Sequence, residues 1–243
     1  MSLHEGAILA PLVRRWGKRT KLTSEDRDAI IALPATRHVF TKDQYIVREG
    51  QEARECAVML RGFAFRQKSL RDGGRQIISF HVATEFVDLQ NMLLGRSDHH
   101  VQSLNRSEVA LIPRQALRKL AASRPKVGAA MWRDTLIDAA IFREWVVNVG
   151  RRDSRGRLAH LLCELVFRFR EAELGKGNMY EFPLTQEQLA DATGLTAVHT
   201  NRTLQSLRKD GFVRLATGSL TILDWEGLCE AAGFDPLYLH AVS

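Results

Sequence analysis

Five consecutive residues, Val198, His199, Thr200, Asn201 and Arg202, open a stretch with helical apolar spacing, "GLTAVHTNRTLQSLRKD" from Gly194 to Asp210. An asparagine amide can bond an adenine edge bidentately, and an arginine guanidinium a guanine edge. Threonine and histidine beside them can hold phosphates, helped by the start of a helix. The chemistry available here is therefore the reading of double-stranded DNA. Other candidates are weaker. His81, His99 and His100 lie in a strand-rich region without a His-x-His pair followed by a glutamate and a histidine. Positions 99 and 100 alternate faces on a strand, so the two are poorly placed to share one ion. All three are expected at the surface or in loops. Cys56, Cys163 and Cys229 are scattered, with no Cys-x-x-Cys pair. Cys163, inside "LAHLLCEL", reads as inert core. No Gly-x-Ser-x-Gly or phosphate-binding glycine loop is found. The expectation is no metal, no cofactor and no catalysis, with a cupin-like metal barrel as the enzymatic alternative.

The elements around the polar stretch must hold it outward. "FPLTQEQLADATGLTAVHTNRTLQSLRKDGFV" reads as two helices joined by a tight turn. Thr185 and Gln188 form a capping-box pair, Gly194 permits the turn, and Thr196 caps the second helix. Leu189, Ala190 and Ala192 pack inward, as do Leu204 and Leu207 with Val198 near the start. Gly211 ends the helix, and Arg208 and Lys209 suit its C-terminal dipole. "FVRLATGSLTIL" follows as a hairpin with its tip at Thr217-Gly218-Ser219. A helical hairpin with no DNA role has the same pattern, so this motif alone leaves both readings open.

Upstream, residues 8–33 read as helix ending near Pro34. From Arg37 to about Ile112, short strands alternate with turns at Gly50, Gly62 and Asp72-Gly73-Gly74, which suggests a sandwich or roll. After a short helix at 114–125, about 25 residues run without proline to Gly150. Met131, Thr135, Asp138, Phe142, Trp145 and Val149 form one stripe on it. Leu136, Ile137, Ala140 and Ile141 add a second edge. Such a helix needs more than one partner. One side would cover the roll and the other a second copy, making a homodimer; burial within one monomer is the alternative. A further helix starts at Asp153 or Ser154, with Leu158, Leu161, Leu162, Leu165 and Phe169 as its core. Gly150 is the expected hinge and "GKGNMYEF" the linker to the last unit. The expected domains are a roll at 1–125, a long dimerisation helix at 126–150 and a DNA-binding domain at 151–243.

The chain has 243 residues, 45% hydrophobic and 26% charged, the balance of a globular protein. No apolar run spans a membrane and no secretory signal opens the chain, so the expectation is a cytoplasmic protein with no membrane partner. Net charge is +7, yet the first 150 residues carry 24 Lys/Arg against 16 Asp/Glu and the rest 11 against 12. Phosphate contact must then come from local placement.

The stretch "LTQEQLADATGLTAVHTNRTLQSLRKDG" resembles the winged helix-turn-helix of the Crp/Fnr transcription regulators. The likeness extends over the strands, the long helix, "GRRDSRGRLAHLLCEL" and the tail "FDPLYLH", with Gly50, Gly62 and Gly74 where the family's roll turns. It implies an α+β chain: an N-terminal antiparallel β-roll of jelly-roll type, a long dimerisation helix and a C-terminal winged helix-turn-helix. By position it places base contacts at Ala197, Val198, Asn201 and Arg202, of which Arg202 alone keeps the residue typical of the best-known members. Val198 stands where a glutamate commonly reads cytosine, and a valine suits a thymine methyl instead. Thr185, Thr196 and His199 match phosphate-holding positions, with Gln186 and Thr200 beside them. Gln186 replaces an arginine, and His199 has base reading as its alternative role. Cyclic-nucleotide-binding members carry a Phe-x-Gly-Glu turn and an Arg-Ser pair. Here these read Phe86-Val87-Asp88-Leu89 and Ser97-Asp98, so the arginine and the glutamate are gone. Arg96 stands one residue away. The resemblance therefore implies a homodimeric regulator on a near-palindromic operator, working with RNA polymerase and not governed by a cyclic nucleotide. A different small ligand in the roll is the alternative. Three cysteines are too few for the four-cysteinyl cluster of oxygen-sensing members.

Overall fold

The structure, a computed structural model, describes residues 7–241. They form two compact units. The first contains the residues up to Gln67 and Phe80–Ala139; the second contains Lys68–Ser79 and Ala140–Ala241.

The helix expected over 8–33 is two helices, α1 (Ala10–Arg19) and α2 (Ser24–Ile31). Thr20 is extended, and Thr23 starts a new helix: its hydroxyl accepts from the Asp26 N–H while the Asp26 carboxylate accepts from the Thr23 N–H. This reciprocal cap satisfies two end groups that a continuous helix would have paired internally. Seven strands follow: β1 (Thr36–Phe40), β2 (Tyr45–Val47), β3 (Glu55–Arg61), β4 (Ala64–Ser69), β5 (Arg75–His81), β6 (His100–Ser103) and β7 (Ser107–Pro113). They make two sheets, ordered β1-β7-β3 and β2-β6-β4-β5. Gly62 joins β3 to β4 at φ +82°. A Cβ there would lie 2.5 Å from Ser107 Oγ and 2.8 Å from the Arg106 carbonyl, so the turn requires glycine. At the β4–β5 hairpin the positive φ falls on Gly73.

Between β5 and β6 lies α3 (Asn91–Leu94); after β7 come α4 (Arg114–Ser123) and α5 (Pro125–Arg151). Trp16, Ile30, Ile112, Leu117, Val127 and Met131 share one buried core. Trp16 Nε1 donates to the Asp134 carboxylate at 2.8 Å, and Arg15 pairs with it at 3.0 Å, which fixes α1 against the first half of α5.

The hinge expected at Gly150 is not there: α5 continues to Arg151. The break comes at Asp153, which is extended and accepts from the Gly156 N–H at 2.7 Å, capping α6 (Ser154–Glu171). An aspartate cap defines a helix start more strongly than one glycine ends the helix before it. In the second unit the expected linker contains β8 (Met179–Glu181). Then come α7 (Gln186–Thr193), α8 (Ala197–Lys209), β9 (Val213–Ala216), β10 (Ser219–Ile222), α9 (Trp225–Ala232) and a 3-10 turn at Pro236–Leu239. The wing is a three-stranded sheet, β8-β10-β9. The hairpin tip 68–79 belongs to this unit through Arg75, which pairs with Asp191 of α7, and Gln76, which donates to the Asp191 carbonyl.

Every core position expected on α6 is buried, and so is Glu164 between them. Its carboxylate accepts from Trp145 Nε1 at 3.0 Å, Arg168 at 3.1 Å and the Tyr238 hydroxyl at 2.9 Å. His160, one turn earlier, stacks on Tyr238 and meets the edge of Phe234. Burial, assisted by Arg152, holds its pKa down to about 3. Glu144 lies 3.3 Å away but is drawn to Arg152 at 2.6 Å, so the imidazole stays neutral. The unfolded chain takes this proton first. The contribution of His160 to stability is complete above about 6.5 and is lost as pH falls toward 3, at up to about 1.4 kcal/mol per pH unit. Thermal unfolding between pH 7 and 4 should show this decline, and a His160→Leu chain should show a shallower one.

Candidate nucleic-acid interface

The helix pair expected at 185–210 is formed by α7 and α8. Thr185 Oγ1 accepts from the Gln188 N–H at 3.1 Å and Gln188 Oε1 from the Thr185 N–H at 2.9 Å. Gly194 turns the chain at φ +65°, and Thr196 caps α8 by accepting from the His199 N–H at 3.2 Å. Leu189 and Ala192 of α7 meet an inner face of α8 made by Leu204 and Leu207, all buried. Two arginines of α6 brace the pair. Arg155 donates to Ser206 Oγ at 2.8 Å, pairs with Asp210 and lies over the Phe212 ring. Arg157 donates to the Thr193 carbonyl at 3.2 Å.

This frame leaves Ala197, Val198, His199 and Arg202 exposed on α8, with Thr185, Gln186 and Thr196 exposed beside them. Val198, expected at a base edge, is 64% exposed. Arg202 makes no hydrogen bond or ion pair among the described residues. Asn201 is half-buried and held in position: its amide donates to Gln186 Oε1 at 2.9 Å, and its carbonyl accepts from Gln205 Nε2 at 2.9 Å. Gln205 was not expected to matter, although its place four residues after Asn201 puts it on the same face. Thr200, expected at a phosphate, is fully buried. It shares the inner face with Thr203 and Leu207, because steps of three and four keep one side of a helix. Its position excludes a backbone contact.

On α5 the exposed apolar residues are not the expected stripe. Met131 and Trp145 are buried, Trp145 on Glu164. Asp138 pairs with Arg66 at 2.9 Å, and Thr135 Oγ1 donates to the Met131 carbonyl. Phe142 and Val149 are half-buried. The exposed positions are Trp132 and Leu136 in the first unit, at 63% and 58%, and Val146 and Val147 in the second, at 70% and 45%. Much of the outward face thus lies one residue later in the register.

The four positions that would face a cyclic phosphate are turned to other uses. Asp88 is buried and accepts from the Ala57 N–H at 2.8 Å; burial raises its pKa to about 6, against the pull of Ala57 and Arg66. Leu89 belongs to the apolar core, and the Ser97 hydroxyl donates to the His99 carbonyl. Asp98 is exposed and sits 2.7 Å from His99 Nδ1. Arg66, which the sequence did not single out, donates to Asp138 and to the Val87 carbonyl at 2.7 Å, and Arg96 donates to the Gly50 carbonyl at 3.0 Å. Two acids and two engaged guanidiniums do not fit a cyclic phosphate.

Contrary to expectation, His81 and His99 are buried; His100 is half-buried and accepts from the Glu49 N–H. Among the described residues, no group of three His, Cys, Asp or Glu could hold a metal ion. No described helix is long and apolar enough to cross a membrane.

Residues 156–231 match the Crp-like helix-turn-helix domain and residues 37–124 the cyclic nucleotide-binding domain. The chain is 26% identical over 196 residues to the transcriptional activator protein FnrL of Cereibacter sphaeroides, covering 79% of this chain and 78% of that one. It is 22% identical over 213 residues to the nitrogen fixation regulation protein FixK of Azorhizobium caulinodans, covering 86% and 85%. The structure of FixK2 from Bradyrhizobium japonicum superposes with a TM-score of 0.76 at 24% identity, covering 82% of this chain and 98% of that one.

Proposed function

This chain belongs to the Crp/Fnr family of transcription regulators, and on that premise we propose that it binds a near-palindromic operator as a homodimer and activates transcription with RNA polymerase. The observation that carries the reading is the capped start of α8. There Ala197, Val198, His199 and Arg202 stand exposed while Asn201 is fixed by two hydrogen bonds. Arg202 and Asn201 would read base edges in the major groove, with Val198 and Ala197 against methyl groups. Thr185, Gln186, Thr196 and His199 would hold the backbone. One recognition helix covers a short half-site, so two copies reach half-sites about one helical turn apart. The burial of Asp88, Leu89 and Ser97 on partners of their own supports activity without a cyclic nucleotide, and the cytoplasm is the compartment such a regulator would occupy.

The second copy would cover Trp132 and Leu136, since water-exposed apolar side chains on a helix are stabilised by burial, about 1.5–3 kcal/mol for a leucine. Leu136→Asp should raise the dimer dissociation constant at least tenfold in sedimentation equilibrium while leaving the helical signal unchanged. A variant as dimeric as the parent chain would remove Leu136 from the interface. The operator reading is tested by selecting genomic fragments on the purified protein at fixed salt and sequencing them. A two-fold-symmetric motif supports the reading, and an asymmetric single site from a monomer overturns it.

A further inference from the structure

Cys163 of α6 and Cys229 of α9 stand with their sulfurs 3.9 Å apart, although 66 residues separate them. The sequence marked Cys163 as inert core, and alone it would be. The partner changes its chemistry. Cys229 is half-exposed and reaches solvent, whereas Cys163 is completely buried directly behind it. That is the arrangement of an attacking thiol and a resolving thiol. Cys56, also buried, lies in the first unit and serves as an internal control.

We infer that Cys163 and Cys229 form a redox pair, closed to an intramolecular disulfide by a peroxide, and that closure weakens DNA binding. The peroxide oxidises the Cys229 thiol to a sulfenic acid and leaves as one water. The Cys163 thiol then attacks that sulfur, forming the S–S bond and releasing a second water. Two thiols lose two hydrogens and one peroxide becomes two waters. Bonding requires the sulfurs to approach from 3.9 Å to about 2.05 Å, and in this proposal α9 shifts on α6 as they close. That motion has a direct route to α8. The backbone N–H groups of Leu223 and Asp224, at the start of α9, both donate to the carbonyl of Phe212, two residues after α8's last described cap, Asp210. The Phe212 ring also packs against Gly227 of α9, where an added Cβ would lie 2.7 Å from it.

Burial pushes both thiols above their ordinary range, with Arg170 pulling each back. Thiolate is therefore scarce at neutral pH, and the pair answers sustained oxidant more than brief exposure.

The effect on DNA rests on the operator reading above, but the thiol measurement needs no DNA. The native full-length protein is incubated with hydrogen peroxide, its free thiols are blocked by iodoacetamide, and the digest is analysed by mass spectrometry. A peptide pair joining Cys163 to Cys229, reversed by dithiothreitol, with Cys56 alkylated, is the expected result. Unreacted thiols, Cys229 oxidised to sulfinic acid with Cys163 free, or a link between two copies of Cys229 would each overturn the pair. In Cys163→Ala the oxidation should stop at a dimedone-trappable sulfenic acid on Cys229. On an operator recovered by the selection, the closed form should bind at least threefold more weakly than the reduced form. Equal binding by a fully closed protein would overturn the switch while leaving the pair standing.

Discussion

Replacing Arg202 with alanine should reduce operator affinity by about 1–3 kcal/mol and relax the preference at one base pair of each half-site. The side chain is exposed one turn into α8 and engages no other group among the described residues, so its donors remain available to a base edge. Its removal should also leave the fold alone, since the exposed side chain has no bond of its own to lose among the described residues. This separates a binding defect from an unfolding one, and equal thermal midpoints for parent and variant would confirm the separation. The informative measurement is a titration against a panel of operators varied one base pair at a time, at one salt concentration. A base contact loses affinity on the preferred operator and loses little on the operator changed at its partner base. A uniform loss over the panel, with the salt slope reduced by about 1, would instead assign Arg202 to a phosphate. Asn201 should respond differently, because Gln186 and Gln205 hold it: Gln186→Ala should weaken discrimination at the same base as Asn201→Ala, though less.

The second large effect concerns stability. Glu164→Ala should destabilise the second unit by about 3–5 kcal/mol. The carboxylate lies in the middle of α6 with no exposure, accepting from Trp145, Arg168 and Tyr238. Burial pushes its pKa up, and those three donors pull it back. Alanine would remove the common acceptor of an indole N–H, a guanidinium and a phenol at once and open a cavity beside them. Glu164→Gln keeps one acceptor oxygen and should lose clearly less. Tyr238→Phe deletes one donor and should cost about 1 kcal/mol. Urea unfolding followed by tryptophan fluorescence measures all three, since Trp145 lies in the cluster. A Glu164→Ala chain as stable as the parent would show that the cluster carries no net stabilisation.

The DNA-binding half was largely legible in the sequence because its signals are local. Thr185 with Gln188, Gly194 and Thr196 each specify a cap or turn within three or four residues, and each does so in the structure. Thr200 was misread for the same reason. Its side chain is polar, but position on the helix, and not polarity, decides the face. The errors on α5 have a longer range. A helix apolar on more than one side offers several stripes, and the sequence holds no sign that Asp138 would turn to Arg66 or Trp145 to Glu164. Those partners lie 72 and 19 residues away. The closeness of Cys163 to Cys229 was hidden likewise, since it follows from how α9 packs on α6.

The Arg66–Asp138 pair bears on how such a regulator could be governed. On the reading proposed above, in which no cyclic nucleotide enters the roll, Arg66 is already neutralised by Asp138 and the dimer would assemble without a messenger. Beside the state of the Cys163–Cys229 thiols, the variable is then how many copies the cell makes. Where free monomer predominates, the dimer follows the square of monomer concentration, so doubling the supply would raise the assembled form roughly fourfold. Transcription of its own gene would then act as the dial, and a modest change in synthesis or proteolysis would register at the promoter as a steep one.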